Sequence, residues 1–191
     1  MPLRKATFNV AAAANANILP AAGSFFSIDI KEITAVAAAG TVTFYDNTAA
    51  SGPIVAVIRV TADGELHYEW HRGVRLNTGL HIAAVGADVV GSITTGGANG
   101  VLRALPFAGA DLQLSAVPRI VDSVLISETA GAAAEWRAFD ALAITGVPFV
   151  GGSLAANESI KWGWPKGGIQ LDTGLFYDQQ GGAASGAVYV Y

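Results

Sequence analysis

Two short stretches of this chain are copies of one motif. Residues 73–80 are Gly-Val-Arg-Leu-Asn-Thr-Gly-Leu, and residues 168–175 are Gly-Ile-Gln-Leu-Asp-Thr-Gly-Leu, aligned without a gap. The Gly, Leu, Thr, Gly and Leu positions are identical, while Val pairs with Ile, Asn with Asp and Arg with Gln. A repeat of this kind within 191 residues predicts two tandem copies of one small domain.

The residues of the motif are typical of a turn between two short strands. Asn77 and Asp172 are expected to cap the turn with their own side chains, and Gly79 and Gly174 to supply a positive φ. The leucines on either side are expected to face the core: Leu76, Leu80, Leu171 and Leu175. The alternative of a phosphate-binding glycine loop lacks both the strand–loop–helix context and the lysine that such loops use.

The rest of the chain reads as short strands separated by turn signals. Residues 54–60 alternate in strand fashion, Asp63-Gly64 is a hairpin signal, and residues 142–150, with Pro148, are expected to form an edge or bulged strand. No long segment has a helical period. The pattern predicts an all-β chain of two tandem, duplicated small β-sandwich or barrel domains. The expected divisions are an extended N-terminal arm at 1–22, copy 1 at 23–96 and copy 2 at 97–191, with residues 94–100 as linker.

Composition narrows the classes of function. Only 14% of the residues are charged and the net charge is -4, which argues against a nucleic-acid-binding protein with a basic face. Cysteine is absent, so disulfides, thiolate metal sites and cysteine nucleophiles are excluded. No apolar run is long enough for a membrane span. Two small domains with so few charges leave a weakly polar surface, which favours burial against neighbouring subunits in a homo-oligomer or larger assembly.

One stretch has residues suited to binding a metal. Glu65, His67, Glu69 and His71 alternate with apolar residues, so a strand places all four on one face, where imidazole and carboxylate groups could bind zinc. The simpler interpretation, which we adopt, is an amphipathic strand with its polar face in water. We therefore expect no metal and no cofactor.

Two tryptophans in the second copy have the other notable pattern. Trp162 and Trp164 share a strand face, with Lys161 and Lys166 nearby, so they could stack on sugar rings, fill the core or contact another subunit. The carboxylates Asp140, Glu158 and Asp172 show no spacing that selects a glycosidase pair, and no serine lies in a nucleophile-elbow context. The sequence thus predicts a protein that is not an enzyme.

Several segments together resemble a known class of protein. An Ala/Asn-rich N-terminus leads into Ile18-Leu19-Pro20 and Gly23-Ser24-Phe25-Phe26-Ser27-Ile28, followed by Thr41-Val42-Thr43-Phe44, the repeated motif and the C-terminal Val188-Tyr189-Val190-Tyr191. This resembles small virion structural proteins of tailed bacteriophages, of the decoration, cement or minor structural kind. The resemblance implies a β-rich, non-enzymatic subunit located on the virion.

The expected function is decoration or cementing of a phage capsid through subunit contacts. Its partners would be the major capsid protein or other virion proteins, with neither nucleic acid nor membrane. The alternative is a neck, tail or fibre-associated β-sandwich that binds a host glycan or another tail protein. Six aromatic residues are the candidate interface: Phe25, Phe26, Trp162, Trp164, Tyr189 and Tyr191.

Overall fold

The computed structural model of this chain describes residues 3–34, 36, 38–97, 100–164 and 167–191. The chain divides into two compact units, unit 1 (Met1–Ala104) and unit 2 (Leu105–Tyr191). The described residues form strands, turns and loops, and none of them lies in a helix. The predicted all-β fold class is confirmed.

Unit 1 is a sandwich of two four-stranded antiparallel sheets. One sheet has the order β1-β8-β3-β6 and the other has the order β2-β7-β4-β5. The strands are β1 (Arg4–Val10), β2 (Asn15–Leu19), β3 (Gly23–Glu32), β4 (Gly40–Tyr45), β5 (Ile54–Val60), β6 (Glu65–Leu76), β7 (Leu80–Val85) and β8 (Val89–Gly96).

Unit 2 repeats this arrangement, except that two shorter strands take the place of β6. Its sheets have the orders β14-β11-β17-β9, with β15 also pairing β11, and β10-β16-β12-β13. The strands are β9 (Arg103–Ala108), β10 (Leu112–Ser115), β11 (Arg119–Glu128), β12 (Ala134–Phe139), β13 (Val150–Leu154), β14 (Ser159–Gly163), β15 (Ile169–Leu171), β16 (Leu175–Gly181) and β17 (Ala184–Val190). Strands β14 and β15 together occupy the place that the single strand β6 has in unit 1.

The strand order of both units is that of a jelly roll. In unit 1 every connection passes from one sheet to the other, except β4 to β5, which are neighbours in the same sheet. Eight strands in two sheets with this Greek-key connectivity form a jelly roll. The repeated motif connects β6 to β7 in unit 1 and β15 to β16 in unit 2, so it marks the same turn in both units.

The core of each unit lies between its two sheets. In unit 1, Phe25 meets Trp70 edge to face, with ring centroids 5.1 Å apart, and both side chains are buried. In unit 2, Phe107 stacks on Tyr177 at 4.1 Å, and Trp136 packs beside Tyr177. The leucines of the repeated motif are buried as expected: Leu76, Leu80, Leu171 and Leu175.

The predicted N-terminal arm is extended but does not project from the domain. Strand β1 pairs with β8 and strand β2 pairs with β7, so both belong to the sheets of unit 1. Phe8 and Val10 are buried in the core, and their burial holds β1 in place. The expectation of a separate arm at 1–22 was wrong. The apolar alternation of β1 consists of Phe8 and Val10 alone, which is too short to be recognised as a strand among alanines and asparagines.

Two boundaries also differ from those expected. Residues 94–96 continue β8, and Arg75 N donates to Leu102 O at 2.9 Å, so the chain remains with unit 1 past residue 97. Residues 98 and 99 of the expected linker lie outside the described residues. Residues 142–149 form a loop, and the strand begins at Val150. Phe149 N donates to Ala138 O of β12 at 3.0 Å, and regular pairing with β12 begins only at Val150, so the residues before it stay a loop.

Candidate interaction interface

An aspartate at the end of the fourth strand of each unit holds the repeated motif in place. The Asp46 carboxylate accepts backbone N–H groups from Asn77 (2.8 Å), Thr78 (2.8 Å) and Gly79 (3.4 Å). The Asp140 carboxylate accepts the corresponding groups of Asp172 (2.9 Å), Thr173 (2.8 Å) and Gly174 (3.2 Å). We call this arrangement the turn clamp. It satisfies backbone donors that the turn leaves without a strand partner.

The turn clamp corrects the predicted roles of the motif residues. The cap comes from Asp46 and Asp140, about thirty positions earlier in the chain, and the Asn77 side chain itself donates to Asp46 at 3.2 Å. The positive φ lies at the first glycine of each copy, with +65° at Gly73 and +90° at Gly168. Gly79 and Gly174 are needed for space, because an added Cβ would lie 2.4 Å from Leu19 O or 2.7 Å from Ser115 O.

Replacement of Gly168 by alanine should destabilise unit 2 strongly. The new Cβ would lie 2.4 Å from Val121 O at a φ of +90°, so we expect a loss of about 3 kcal/mol in unfolding free energy. The control is Gly131→Ala, which has a φ of +78° but open space around the Cβ and should cost only about 1 kcal/mol. Urea denaturation measures both values. Equal losses would show that close packing against Val121 contributes nothing.

A buried glutamate at the end of the third strand of each unit forms a second repeated arrangement. Glu32 accepts N–H groups from Thr34 (2.5 Å) and Asp63 (2.9 Å). Glu128 accepts those of Ala130 (2.5 Å), Gly131 (2.9 Å) and Asn157 (2.8 Å). We call this the hairpin clamp, because each glutamate holds the turn between the fifth and sixth strand positions of its unit.

The hairpin clamp fixes a strained turn residue in each unit. Asp63 and Asn157, which donate to the two glutamates, have φ values of +55° and +62°. Asparagine and aspartate tolerate this left-handed conformation better than most residues. This clamp was not predicted from the sequence. The signal that could have found it is the repeated Ile-x-Glu at the ends of β3 and β11, Ile30 to Glu32 and Ile126 to Glu128.

Backbone hydrogen bonds of the clamps lower the pKa of three carboxyl groups, those of Glu32, Glu128 and Asp140. Burial alone would raise the pKa of Glu128, but the N–H groups of Asn157, Ala130 and Gly131 outweigh it and hold that pKa below its usual range. In the same way, burial alone would raise the pKa of Asp140, but three backbone N–H groups outweigh burial and lower that pKa. Hydrogen bonds from Thr34 and then from the Asp63 N–H lower the pKa of Glu32.

These shifts predict that the chain loses stability in acid. A carboxyl group whose pKa is lower in the folded than in the unfolded chain stabilises the fold fully above the unfolded value, about 4 for aspartate and glutamate. That stability is lost as the pH falls through the folded value. Urea midpoints should therefore hold steady down to about pH 5 and fall towards about pH 3. The double variant Glu128→Gln/Asp140→Asn should have a lower urea midpoint than the wild type at neutral pH, and its midpoint should fall less on acidification. A wild-type midpoint that stays constant to about pH 3 would contradict the prediction.

The predicted interface residues divide into buried and partly exposed side chains. Phe25 and Tyr189 are fully buried in the cores of their own units, so they offer no surface to a partner. Phe26, Trp162, Trp164 and Tyr191 are partly buried. Phe26 lies in a β-bulge between Phe25 and Ser27, with its ring against Gly73 and Gly96. The interface role of these four remains a prediction.

The two tryptophans pack towards the core of unit 2. Trp162 lies 5.4 Å from Trp136 between ring centroids, and Trp164 lies 6.0 Å from Phe149. Gly163 pairs with Ser123 as Glu69 pairs with Ser27, so Trp164 follows at the place of Trp70 in unit 1. Lys166, expected beside them, lies outside the described residues. Both rings are thus partly buried against the core of unit 2, and their binding of a sugar remains a prediction.

The polar face of β6 is exposed, and one of its histidines, His67, contacts the neighbouring strand β3. His67 Nδ1 lies 2.5 Å from Asp29 Oδ1, Ser92 donates to Asp29 Oδ2 at 2.9 Å, and His71 Nδ1 lies 3.3 Å from Glu69. Burial alone would raise the pKa of Asp29, but the hydrogen bonds from His67 and Ser92 outweigh burial and lower that pKa. Within the described residues, no group of three or more histidine, aspartate or glutamate side chains is arranged to hold a metal ion.

Two of the three carboxylates considered for catalysis accept backbone N–H groups, and the third, Asp172, is exposed. Asp140 holds the turn clamp, and Glu158 accepts the N–H of Ala155 at 2.7 Å. The three histidines lie on β6 and β7, where His67 contacts Asp29, His71 contacts Glu69 and His81 contacts Asn15. Among the hydrogen bonds of the described residues, none links a histidine to a serine hydroxyl in the manner of a nucleophile and its base.

Comparison with solved structures finds a viral protein among the chains that are similar to this one. A chain of the cryo-EM structure of Broad Bean Stain Virus is similar to this chain at 9% sequence identity, over 98% of this chain and 87% of that chain, with a TM-score of 0.33. Neither a protein-family model nor a curated protein matches the sequence. The jelly-roll assignment rests on the strand order of the two units and not on this similarity.

Among the described residues, no helix is long and apolar enough to cross a membrane.

Proposed function

We propose that this chain is a non-enzymatic virion structural protein that decorates or cements a bacteriophage capsid through contacts between subunits. The observation that carries the proposal is the use of the carboxylates at equivalent positions of the two units: in both jelly rolls they hold turns by accepting backbone N–H groups. Residues used in this way build a rigid scaffold. They are not free to act as acids, bases or nucleophiles.

The fold and composition support the same proposal. Jelly rolls occur in viral capsid and lectin domains and in cupins, so the fold alone does not select a function. A surface poor in charge, with 14% charged residues in the whole chain, favours burial against neighbours over independent existence in solution. Two similar units in one chain can contact two neighbouring subunits, and a lattice multiplies weak contacts into stable attachment.

The glycan-binding alternative has less support. It requires exposed aromatic faces, and Trp162 and Trp164 pack against Trp136 and Phe149 instead. A glycan array with the purified chain separates the two functions. Binding that is lost in Trp162→Ala and retained in the exposed-site variant Val85→Ala would favour the glycan-binding protein.

The proposal is tested with particles of the virus that encodes this chain. We expect the chain to be present in purified particles, and particles that lack it to release their genome at a lower temperature, because binding to the assembled shell stabilises it by mass action. The control is the same deletion complemented in trans, which should restore the wild-type temperature. Purified particles without the chain would contradict the proposal.

A further inference from the structure

The corresponding ends of the two jelly rolls have different surfaces. At this end lie the second-to-third, fourth-to-fifth and sixth-to-seventh strand connections of each unit. In unit 1 the fourth-to-fifth connection, residues 46–53, is short and closed by hydrogen bonds such as Asp46 N to Pro53 O (2.8 Å) and Asn47 Nδ2 to Ser51 O (2.8 Å). In unit 2 the same connection, residues 140–149, is longer, and residues 142–147 are all exposed.

The end of unit 2 is an exposed apolar tip. Residues 141–149 contain no charged side chain. Their large apolar side chains have exposed fractions of 49% at Leu142, 50% at Ile144 and 87% at Val147, and Val117 of the adjacent connection is 49% exposed. Exposed apolar residues grouped in this way mark an interaction surface more often than a free one. We call residues 142–147 with Val117 the apolar tip.

The end of unit 1 carries a cavity in place of such a tip. It has a volume of about 330 Å³ and is lined by residues 19–23, by residues 95–97 and by Arg4. Its walls are the apolar side chains of Leu19, Pro20, Ala21 and Ala22. The Phe26 ring lies next to it, 2.9 Å from where a Cβ on Gly96 would stand. Gly96 leaves room for the side chains next to the cavity, since an added Cβ there would also lie 3.2 Å from Leu3.

Charge at the two surfaces is complementary. The exposed guanidinium of Arg4 stands at the unit 1 cavity. The exposed carboxylate of Asp172 stands at the apolar tip, in the turn where Gly174 approaches Leu142. Of the other charges at the tip, Asp140 holds the turn clamp and Arg119 donates to Ser115 Oγ at 3.2 Å. An apolar projection with one free carboxylate thus matches an apolar cavity with one guanidinium.

We propose that the apolar tip of one copy of this chain binds the unit 1 cavity of a second copy. Each copy carries both surfaces, so the contact is heterologous and links copies head to tail into a ring or an open chain. Val147 is the central apolar contact, because it is the most exposed, and Arg4 with Asp172 sets the orientation. This self-association goes beyond the virion role proposed above and does not depend on which virion protein the chain contacts.

The test measures self-association of the purified full chain by sedimentation velocity over a range of concentrations. We expect the wild type to form a concentration-dependent oligomer. Val147→Asp at the tip and Ala21→Trp in the cavity should each weaken association at least about tenfold. The control is Val85→Asp, which places the same charge on an exposed valine of β7, away from both surfaces, and should leave association unchanged.

A charge exchange tests the orientation. Arg4→Asp and Asp172→Arg should each weaken association, and the double variant should recover most of the loss, which a merely structural effect would not produce. Urea denaturation of each variant verifies that the fold is retained. A wild type that is monomeric at every concentration, an equal effect of Val85→Asp, or no recovery in the double variant overturns the inference. A monomeric chain still found in purified particles would overturn the self-association alone and leave the virion role standing.

Discussion

Replacing Asp46 with alanine should lower the unfolding free energy of unit 1 by about 3 kcal/mol. The carboxylate accepts N–H groups from Asn77, Thr78 and Gly79, and the Gly79 group is buried, so water cannot fully replace the lost acceptor. Asp140→Ala, in the equivalent place of unit 2, should cost less, about 2 kcal/mol, because two of its three donors are exposed to solvent.

The comparison is made by urea denaturation with an exposed aspartate as control. Asp172→Ala alters a side chain of the same motif that lies in solvent, and it should change stability by less than about 0.5 kcal/mol. Asp46→Asn keeps one acceptor oxygen, so its unfolding free energy should lie between those of the wild type and Asp46→Ala. If Asp46→Ala is no more destabilising than Asp172→Ala, the turn clamp does not stabilise the fold.

Replacing Glu128 with alanine should have an effect of similar size in unit 2. Its side chain is fully buried and accepts three backbone N–H groups, including that of Asn157, whose φ is +62°. Loss of the carboxylate leaves these donors without a charged acceptor and frees the strained turn, so we expect a loss of about 3 kcal/mol. Hydrogen exchange at Asn157 and Gly131 should rise together with the loss of stability.

The matched control for this variant is the exposed glutamate of the next strand. Glu135→Ala removes a carboxylate of the same type from the solvent-facing side of β12 and should cost less than about 0.5 kcal/mol. Glu128→Gln should remain clearly destabilised, because its amide NH₂ faces backbone donors at one of the two oxygen positions. Exchange at Asn157 that stays as slow as in the wild type would contradict the hairpin clamp.

The duplication was predictable because the residues that reveal it are close together in the sequence. The repeated motif keeps its small, polar and leucine positions in both copies, and the leucines are buried where the strand alternation placed them. Features that depend on neighbouring residues along the chain, such as strand alternation and turn chemistry, are visible in a single sequence.

Features that join distant parts of the chain were not predictable in the same way. The carboxylate of Asp46 acts on residues more than thirty positions later, and that of Glu128 acts on Asn157. β1 and β2 looked like a free arm because their partners, β8 and β7, are distant in sequence. Residues 142–149 have strand-forming side chains, but the strand forms at Val150–Leu154, despite two glycines, since those residues have β12 as a partner.

The most direct test of the proposed virion role is a cryo-EM map of the particle that this chain belongs to. The proposal predicts pairs of jelly-roll densities, one pair for each chain, repeated over the capsid lattice. Density confined to a single ring at the neck or tail would contradict the capsid-decorating role, and the absence of such paired density anywhere on the particle would contradict a virion structural role altogether.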